Sequence, residues 1–173
     1  STVAQLFPDV RAIDLGGGLG IAEKRGDPAL DLDRLDASLA PVRDACPGVE
    51  LWLEPGRFLV AEAGVLLARV TQTKGKGDVR YVGVATGMNS LIRPALYGAY
   101  HEIVNLTRLD TPASELVTVV GPICETGDKL GSDRLLPPSE GGDVLLIANA
   151  GAYAAAMASH YNLRDPAPEL LLT

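Results

Sequence analysis

Cysteine and histidine are scarce, with two of each among 173 residues. Cys46 and Cys124 have no metal-ligand spacing, and two histidines cannot complete a zinc site, so no metal is expected. A Cys46–Cys124 disulfide stays open as an alternative. Nothing in the sequence points to secretion, and no signal peptide is read, so the expectation is a reduced, cytoplasmic protein. Long apolar runs are also missing. The longest, near Leu145 to Ala158, is too short to cross a bilayer and contains Asn149, so no membrane segment is expected. Basic charge is outnumbered: 15 Lys and Arg against 22 Asp and Glu give a net charge of −7. That balance argues against a nucleic-acid partner, which would call for a clustered basic face. Internal repeats and low-complexity tracts are absent.

What remains is an ordinary globular balance, 47% hydrophobic and 21% charged. The length suits one full domain or pieces of two. The chain starts at Ser1 rather than Met and runs almost directly into a strand, which reads as a piece of something longer.

Two halves differ in texture. Ala12 to Leu15 forms a short strand that ends in Gly16-Gly17-Gly18-Leu19-Gly20. Leu32, Leu35, Leu39 and Val42 then recur at helical spacing, with Asp31 and Asp33 at the favourable N-terminal end. Cys46-Pro47-Gly48 stops that helix. A second strand, Glu50 to Leu53, is capped by Glu54-Pro55-Gly56-Arg57. Strand, helix, strand with a glycine-rich first turn predicts a parallel βαβ unit. After about Ala63 the sequence predicts strands at 65–71, 79–85, 101–105, 116–120 and 144–148, a mainly antiparallel β domain. The Ala-rich stretch Tyr153 to His160 predicts one late helix. One helix and two strands cannot close an eight-fold barrel, so the first part is expected to be the end of a larger domain. The expected division is 1–63 for this α/β part and 64–173 for the β domain.

Several short motifs carry chemistry. Gly121-Pro122-Ile123-Cys124-Glu125-Thr126-Gly127-Asp128 sets a thiol beside a carboxylate in a loop forced by Pro122 and Gly127. Free cysteine is often only a small buried hydrophobe, but a Cys-Glu pair on a Gly/Pro turn fits a site better than packing. The triglycine turn leaves a strand's C-terminal end, where backbone N–H groups can approach a phosphate closely. A dinucleotide fingerprint fails, because Ile21 stands at the third glycine position and the helix begins only after Pro28. Glu54 and Arg57 occupy the neighbouring strand's C-terminal end; they could hold a ring nitrogen and an anion, or form a surface pair worth at most ~1 kcal/mol. Arg93 and Tyr97 lie in the Pro-interrupted Met88 to Tyr97 segment, where a guanidinium among apolar residues calls for an anionic partner. Asn149-Ala150-Gly151-Ala152-Tyr153 delivers a phenol at an expected helix start, suited to a phosphate contact or to core filling.

Taken in order, GGGLG, EPGR, RPALYGAYH, GPICETGD and NAGAY resemble the alanine-racemase-like, pyridoxal-phosphate-dependent basic amino-acid decarboxylases. The match runs through the diaminopimelate decarboxylase branch. The wording MNSLIRPALYGAYHEIVNL and ASHYNLR is similar to the decarboxylase part of bifunctional aspartate kinase–diaminopimelate decarboxylases. The resemblance covers essentially the whole chain. It implies the last βα units of a cofactor-binding TIM-type barrel followed by a C-terminal β domain, and pyridoxal 5'-phosphate as cofactor. By the same resemblance, Gly16, Gly17, Gly18, Gly56 and Tyr153 serve the cofactor phosphate and Glu54 pairs with the ring nitrogen. Arg57, Arg93 and Tyr97 hold the substrate's distal carboxylate. Cys124 and Glu125 reach into the neighbouring subunit's site of a homodimer, the thiol as proton donor and the carboxylate on the distal ammonium. The implied reaction converts meso-diaminopimelate to L-lysine and CO2. An ornithine, lysine or arginine decarboxylase and a non-catalytic regulatory relative are the alternatives. Thr126 replaces the usual Ser of the loop. The family's Schiff-base lysine has no counterpart, since Lys24, Lys74, Lys76 and Lys129 lie in other contexts, so the fragment alone is expected to be inactive.

Overall fold

The computed structural model describes Phe7 and residues 9–172; residues 1–6, 8 and 173, including the segment expected to lead into the first strand, lie outside the described residues. The described residues fall into two units, one of residues up to 22 with 26–59, the other of residues 23–25 with 60–172.

In the first unit, β1 (Ala12–Asp14) pairs in parallel with β2 (Glu50–Trp52), Ile13 facing Leu51. Between them runs α1 (Leu32–Ala45). The Asp31 side chain caps it by accepting from Arg34 N–H at 2.9 Å, while Asp33 in the first turn and Arg43 in the last complement the helix dipole. Pro41 lies inside α1 and removes one backbone donor. Cys46 ends the helix, its N–H bonding Arg43 O at 3.2 Å. The five-residue α2 (Gly56–Val60) follows β2.

The second unit is a six-stranded sheet of order β5-β8-β3-β4-β6-β7. Its strands are β3 (Leu66–Lys76), β4 (Val79–Val84), β5 (Ile103–Asn105), β6 (Glu115–Val120), β7 (Lys129–Leu136) and β8 (Val144–Ile147). Pairing is antiparallel except for β4 with β6, which run parallel. The long β3 organises the sheet. Leu66 to Arg69 pair with β8 and Val70 to Lys76 with β4, with a register shift between Val70 and Gln72 where the strand changes partner. Leu66, Ala68 and Val70 point inward and Leu67 and Arg69 outward, the period of two that a half-buried strand requires. With Val82, Val84, Leu91, Val117, Val119, Leu130, Leu145 and Ile147 they form one continuous core. The sheet curls until its edges meet, Ile103 of β5 lying against Gly131 of β7.

One local expectation is corrected, and two elements appear where none was expected. Residues 153–160 do not form a helix; only Ala155–Met157 makes a single 3-10 turn. Tyr153 takes a left-handed φ of 59°, and Ala152 and Ala154 are buried, so packing fixes a backbone that alanine's helix propensity does not favour. The segment Lys129–Leu136, whose apolar pattern Gly131, Ser132 and Asp133 dilute, is β7. The Pro-interrupted stretch contains α3 (Arg93–Tyr97), with Pro94 in its first turn, where the missing N–H costs nothing.

Candidate active site

In the first unit, the C-terminal ends of two parallel strands make a rim. The β1–β2 ladder continues through Leu15 N–H to Trp52 O (2.9 Å) and Glu54 N–H to Gly16 O (2.8 Å). The Gly16 to Gly18 turn therefore leaves β1 directly beside Glu54. Gly16 and Gly18 have φ of 72° and 83°, which glycine adopts without steric penalty. Gly17 is required for closeness: a Cβ there would lie 2.5 Å from the Glu54 carbonyl oxygen. Side chains built at Gly16 or Gly18 would meet open space. This bare backbone fits a phosphate group. Gly16 N–H is already given to Asp14 Oδ1 (2.8 Å) and Gly56 N–H to Glu54 O (2.9 Å), so the amides of Gly17 and Gly18 are the better donors. The Glu54 side chain is exposed and Arg57 half-buried.

In the second unit, the Cys124–Glu125 loop is braced from beneath by its own last residue. Asp128 is 3% exposed. Its Oδ1 accepts from Met88 N–H at 2.6 Å and its Oδ2 from Ile123 N–H at 2.7 Å. Gly87 and Gly121 flank this carboxylate, and a Cβ on either would overlap it. The loop is thereby tied to the turn at 86–91, a buried polar hub. There Thr86 and Ser90 share a hydroxyl hydrogen bond of 2.6 Å, and Asn89 Nδ2 donates to Asp165 O at 3.1 Å. Ser159 N–H donates to Asn89 O (2.9 Å) and Ala167 N–H to Ser90 Oγ (2.9 Å), so the same hub seats the C-terminal segment. That segment brings the Tyr161 hydroxyl to Glu125 Oε2, a long contact of 3.4 Å. Cys124 is a free, exposed thiol, and Glu125 is exposed beside it.

Arg93 opens α3 and Tyr97, four residues on, shares its face; Gly98 ends the helix at φ 63°. Arg93 Nη1 lies 3.1 Å from Nε2 of His101, which is wholly buried, and His101 Nδ1 lies 2.8 Å from Ala148 O. Burial pushes the His101 pKa down, with the Arg93 and Arg134 charges acting the same way against the Ala148 carbonyl and Glu23. Ala148 leads into the turn that carries Tyr153. This turn is stitched to residues 61–64 by Gly151 N–H to Ala61 O (2.9 Å) and Ala150 N–H to Gly64 O (2.8 Å). Tyr153 presents an exposed phenol, but from a left-handed turn rather than the helix N-terminus expected for it.

The structure thus brings Gly16, Gly17, Glu54 and Gly56 together, sets Cys124 beside Glu125, and puts Arg93 and Tyr97 on one helix. Asp128, His101 and Tyr161 escaped the sequence reading. Asp128 closes the loop motif and reads as turn punctuation; His101 reads as the first residue of a strand. Among the described residues no group of three or more His, Cys, Asp or Glu is placed to hold a metal, and no helix is long and apolar enough to cross a membrane.

Residues 12–151 match the family described as pyridoxal-dependent decarboxylase, C-terminal sheet domain. A diaminopimelate decarboxylase of Archaeoglobus fulgidus is 42% identical over 176 residues, covering 99% of this chain and 42% of that protein. A crystal structure of a diaminopimelate decarboxylase superposes with a TM-score of 0.87 at 37% identity, covering 98% of this chain and 44% of the other. A Helicobacter pylori diaminopimelate decarboxylase, crystallised with L-lysine, gives 0.81 at 35% identity, covering 93% and 39%. The chain spans about two-fifths of the length of these relatives. With its glycine turn, its rim carboxylate and its braced Cys-Glu loop, the chain belongs to the pyridoxal-dependent decarboxylase family.

Proposed function

We propose that the polypeptide carrying this chain decarboxylates the D-centre of meso-2,6-diaminopimelate, giving L-lysine and CO2, with pyridoxal 5'-phosphate as cofactor. The observation that carries the reading is that the second unit fixes two groups of opposite charge, one for this chain's own site and one for its partner's. The Arg93 guanidinium suits the substrate's distal carboxylate, and Glu125, on the loop locked by Asp128, suits its distal ammonium. A substrate with both groups on its far carbon is what the relatives' shared name denotes.

Pyridoxal phosphate, when bound, supplies an electron sink for the bond that breaks. The Gly17 and Gly18 amides suit its phosphate, and Glu54 its ring nitrogen, with Gly56 leaving room and Arg57 adding a cation. Tyr153 is the second unit's hydroxyl for an anionic oxygen. Cys124 Sγ holds a proton for the carbon that loses CO2, a task served by an exposed thiol on a fixed loop. Tyr161 orients Glu125, and Tyr97 works beside Arg93. The loop serves a partner subunit in a homodimer, and the protein works in the cytoplasm, where free Cys46 and Cys124 stay reduced.

The test is CO2 release from meso-diaminopimelate by the whole polypeptide that carries this chain. Release only from ornithine overturns the substrate assignment. Glu125→Ala should cut turnover by about 100-fold or more while cofactor absorbance persists; unchanged turnover removes Glu125 from the site.

A further inference from the structure

His101 is fully buried between two partners of fixed character. The Ala148 carbonyl oxygen can only accept, so His101 Nδ1, 2.8 Å away, carries the proton. Guanidinium N–H groups can only donate, so His101 Nε2, 3.1 Å from Arg93 Nη1, offers its lone pair. Both contacts are satisfied by a single state, the neutral Nδ1–H tautomer. Protonated imidazole would set N–H against N–H.

We infer that neutral His101 is a positioning residue for substrate recognition: it holds the Arg93 guanidinium in the orientation that receives the distal carboxylate. The inference rests on the assignment of Arg93 in the proposed function and adds what fixes it. It also gives the buried histidine a purpose: the ring relays the rigidity of the β8 end, through Ala148, to a helix only five residues long.

The charged and titratable groups around the ring are Arg93 from α3, Arg134 from β7 and Glu23 from residues 23–25, with Tyr100 and Glu102 on either side in sequence. Burial and the two arginines outweigh the Ala148 carbonyl and Glu23 and keep the ring neutral below the ordinary imidazole range. The sign follows. As pH falls through the depressed His101 pKa, Arg93 loses its acceptor and the carboxylate grip weakens.

The experiment compares L-lysine, which keeps the carboxylate on the carbon Arg93 receives, with 1,5-diaminopentane, which lacks it. Calorimetric binding is measured on the cofactor-loaded whole polypeptide. His101→Asn keeps an N–H for Ala148 but leaves Arg93 without an acceptor; His101→Gln reaches the Nε2 position with an oxygen. His101→Asn should weaken L-lysine about tenfold with the diamine unchanged, raising KM more than it lowers kcat. His101→Gln should restore most of the loss. In the unsubstituted protein, L-lysine affinity should fall relative to the diamine at acid pH, and His101→Gln should flatten that limb. Equal weakening of both ligands, or wild-type discrimination and pH dependence in His101→Asn, overturns the inference. Arg93→Ala separates the two ideas. If it spares L-lysine discrimination, the Arg93 assignment itself fails; if it abolishes discrimination while His101→Asn does not, only the role of His101 fails.

Discussion

Asp128 concentrates more structure than any other side chain near the Cys-Glu loop. One carboxylate ties Met88 and Ile123, residues far apart in sequence, and two glycines leave room for it. Asp128→Asn preserves the volume but turns one acceptor into a donor facing a backbone N–H. The expected cost is about 2 kcal/mol, the scale of a lost hydrogen bond to a charged group. Because the loop is released with it, Cys124 should react faster with an aromatic disulfide reagent. Unchanged melting temperature and thiol kinetics would remove Asp128 as the brace. At this scale the sequence disclosed the groups proposed to meet a ligand, because Cys124, Glu125, Glu54 and Arg93 are polar residues at turns and strand ends. It concealed Asp128 and His101, because burial is a property of tertiary packing and a lone Asp or His carries no periodic mark.

At the scale of elements, the strands of the sheet were legible where β-branched or aliphatic runs stand between Gly, Asp and Pro turns, as in β3, β4, β6 and β8. α1 was legible from its leucine spacing, its Asp31 cap and its Cys46-Pro47-Gly48 stop. Residues 153–160 were misread because alanine propensity is a local quantity. The turn before them is set by a long-range approach of two backbones, Gly151 and Gly64, where a Cβ on Gly64 would stand 2.6 Å from Gly151 Cα. Gly151 is equally constrained, its Cβ position overlapping the Val60 carbonyl. Gly151→Ala should therefore cost about 1–3 kcal/mol by forcing the turn away from residues 60–64. Gly20→Ala, whose new Cβ meets nothing within 4 Å, is the control and should be near neutral. Thermal unfolding of the two variants decides it: equal melting temperatures would mean that the turn relaxes freely, contrary to the tight stitching by Ala61 and Gly64.

At the scale of the molecule, apolar burial is distributed unevenly between the two units. Every residue of the continuous hydrophobic core, from Leu66 to Ala154, belongs to the second unit. Among the described residues of the first unit only Cys46 is buried, while Leu32, Trp52 and Leu59 are 53%, 55% and 68% exposed. Apolar burial is the main source of cooperative stability, so the first unit has little with which to resist local opening. In this chain by itself, amides of β1, β2 and α1 should exchange with deuterium about a hundredfold or more faster than those of β3, β4 and β8. The latter should exchange only through global unfolding, at rates that track denaturant stability. Equal protection in both units would show that contacts outside the core cluster stabilise β1 and β2 as strongly as the sheet. With the expected pattern, the glycine turn and Glu54 sit on the labile unit, and the Cys-Glu loop and Arg93 on the stable one. The glycine turn, Glu54 and Arg57 would then depend on added contacts for their order, and Arg93, Tyr153 and the Cys-Glu loop would be set by the sheet itself.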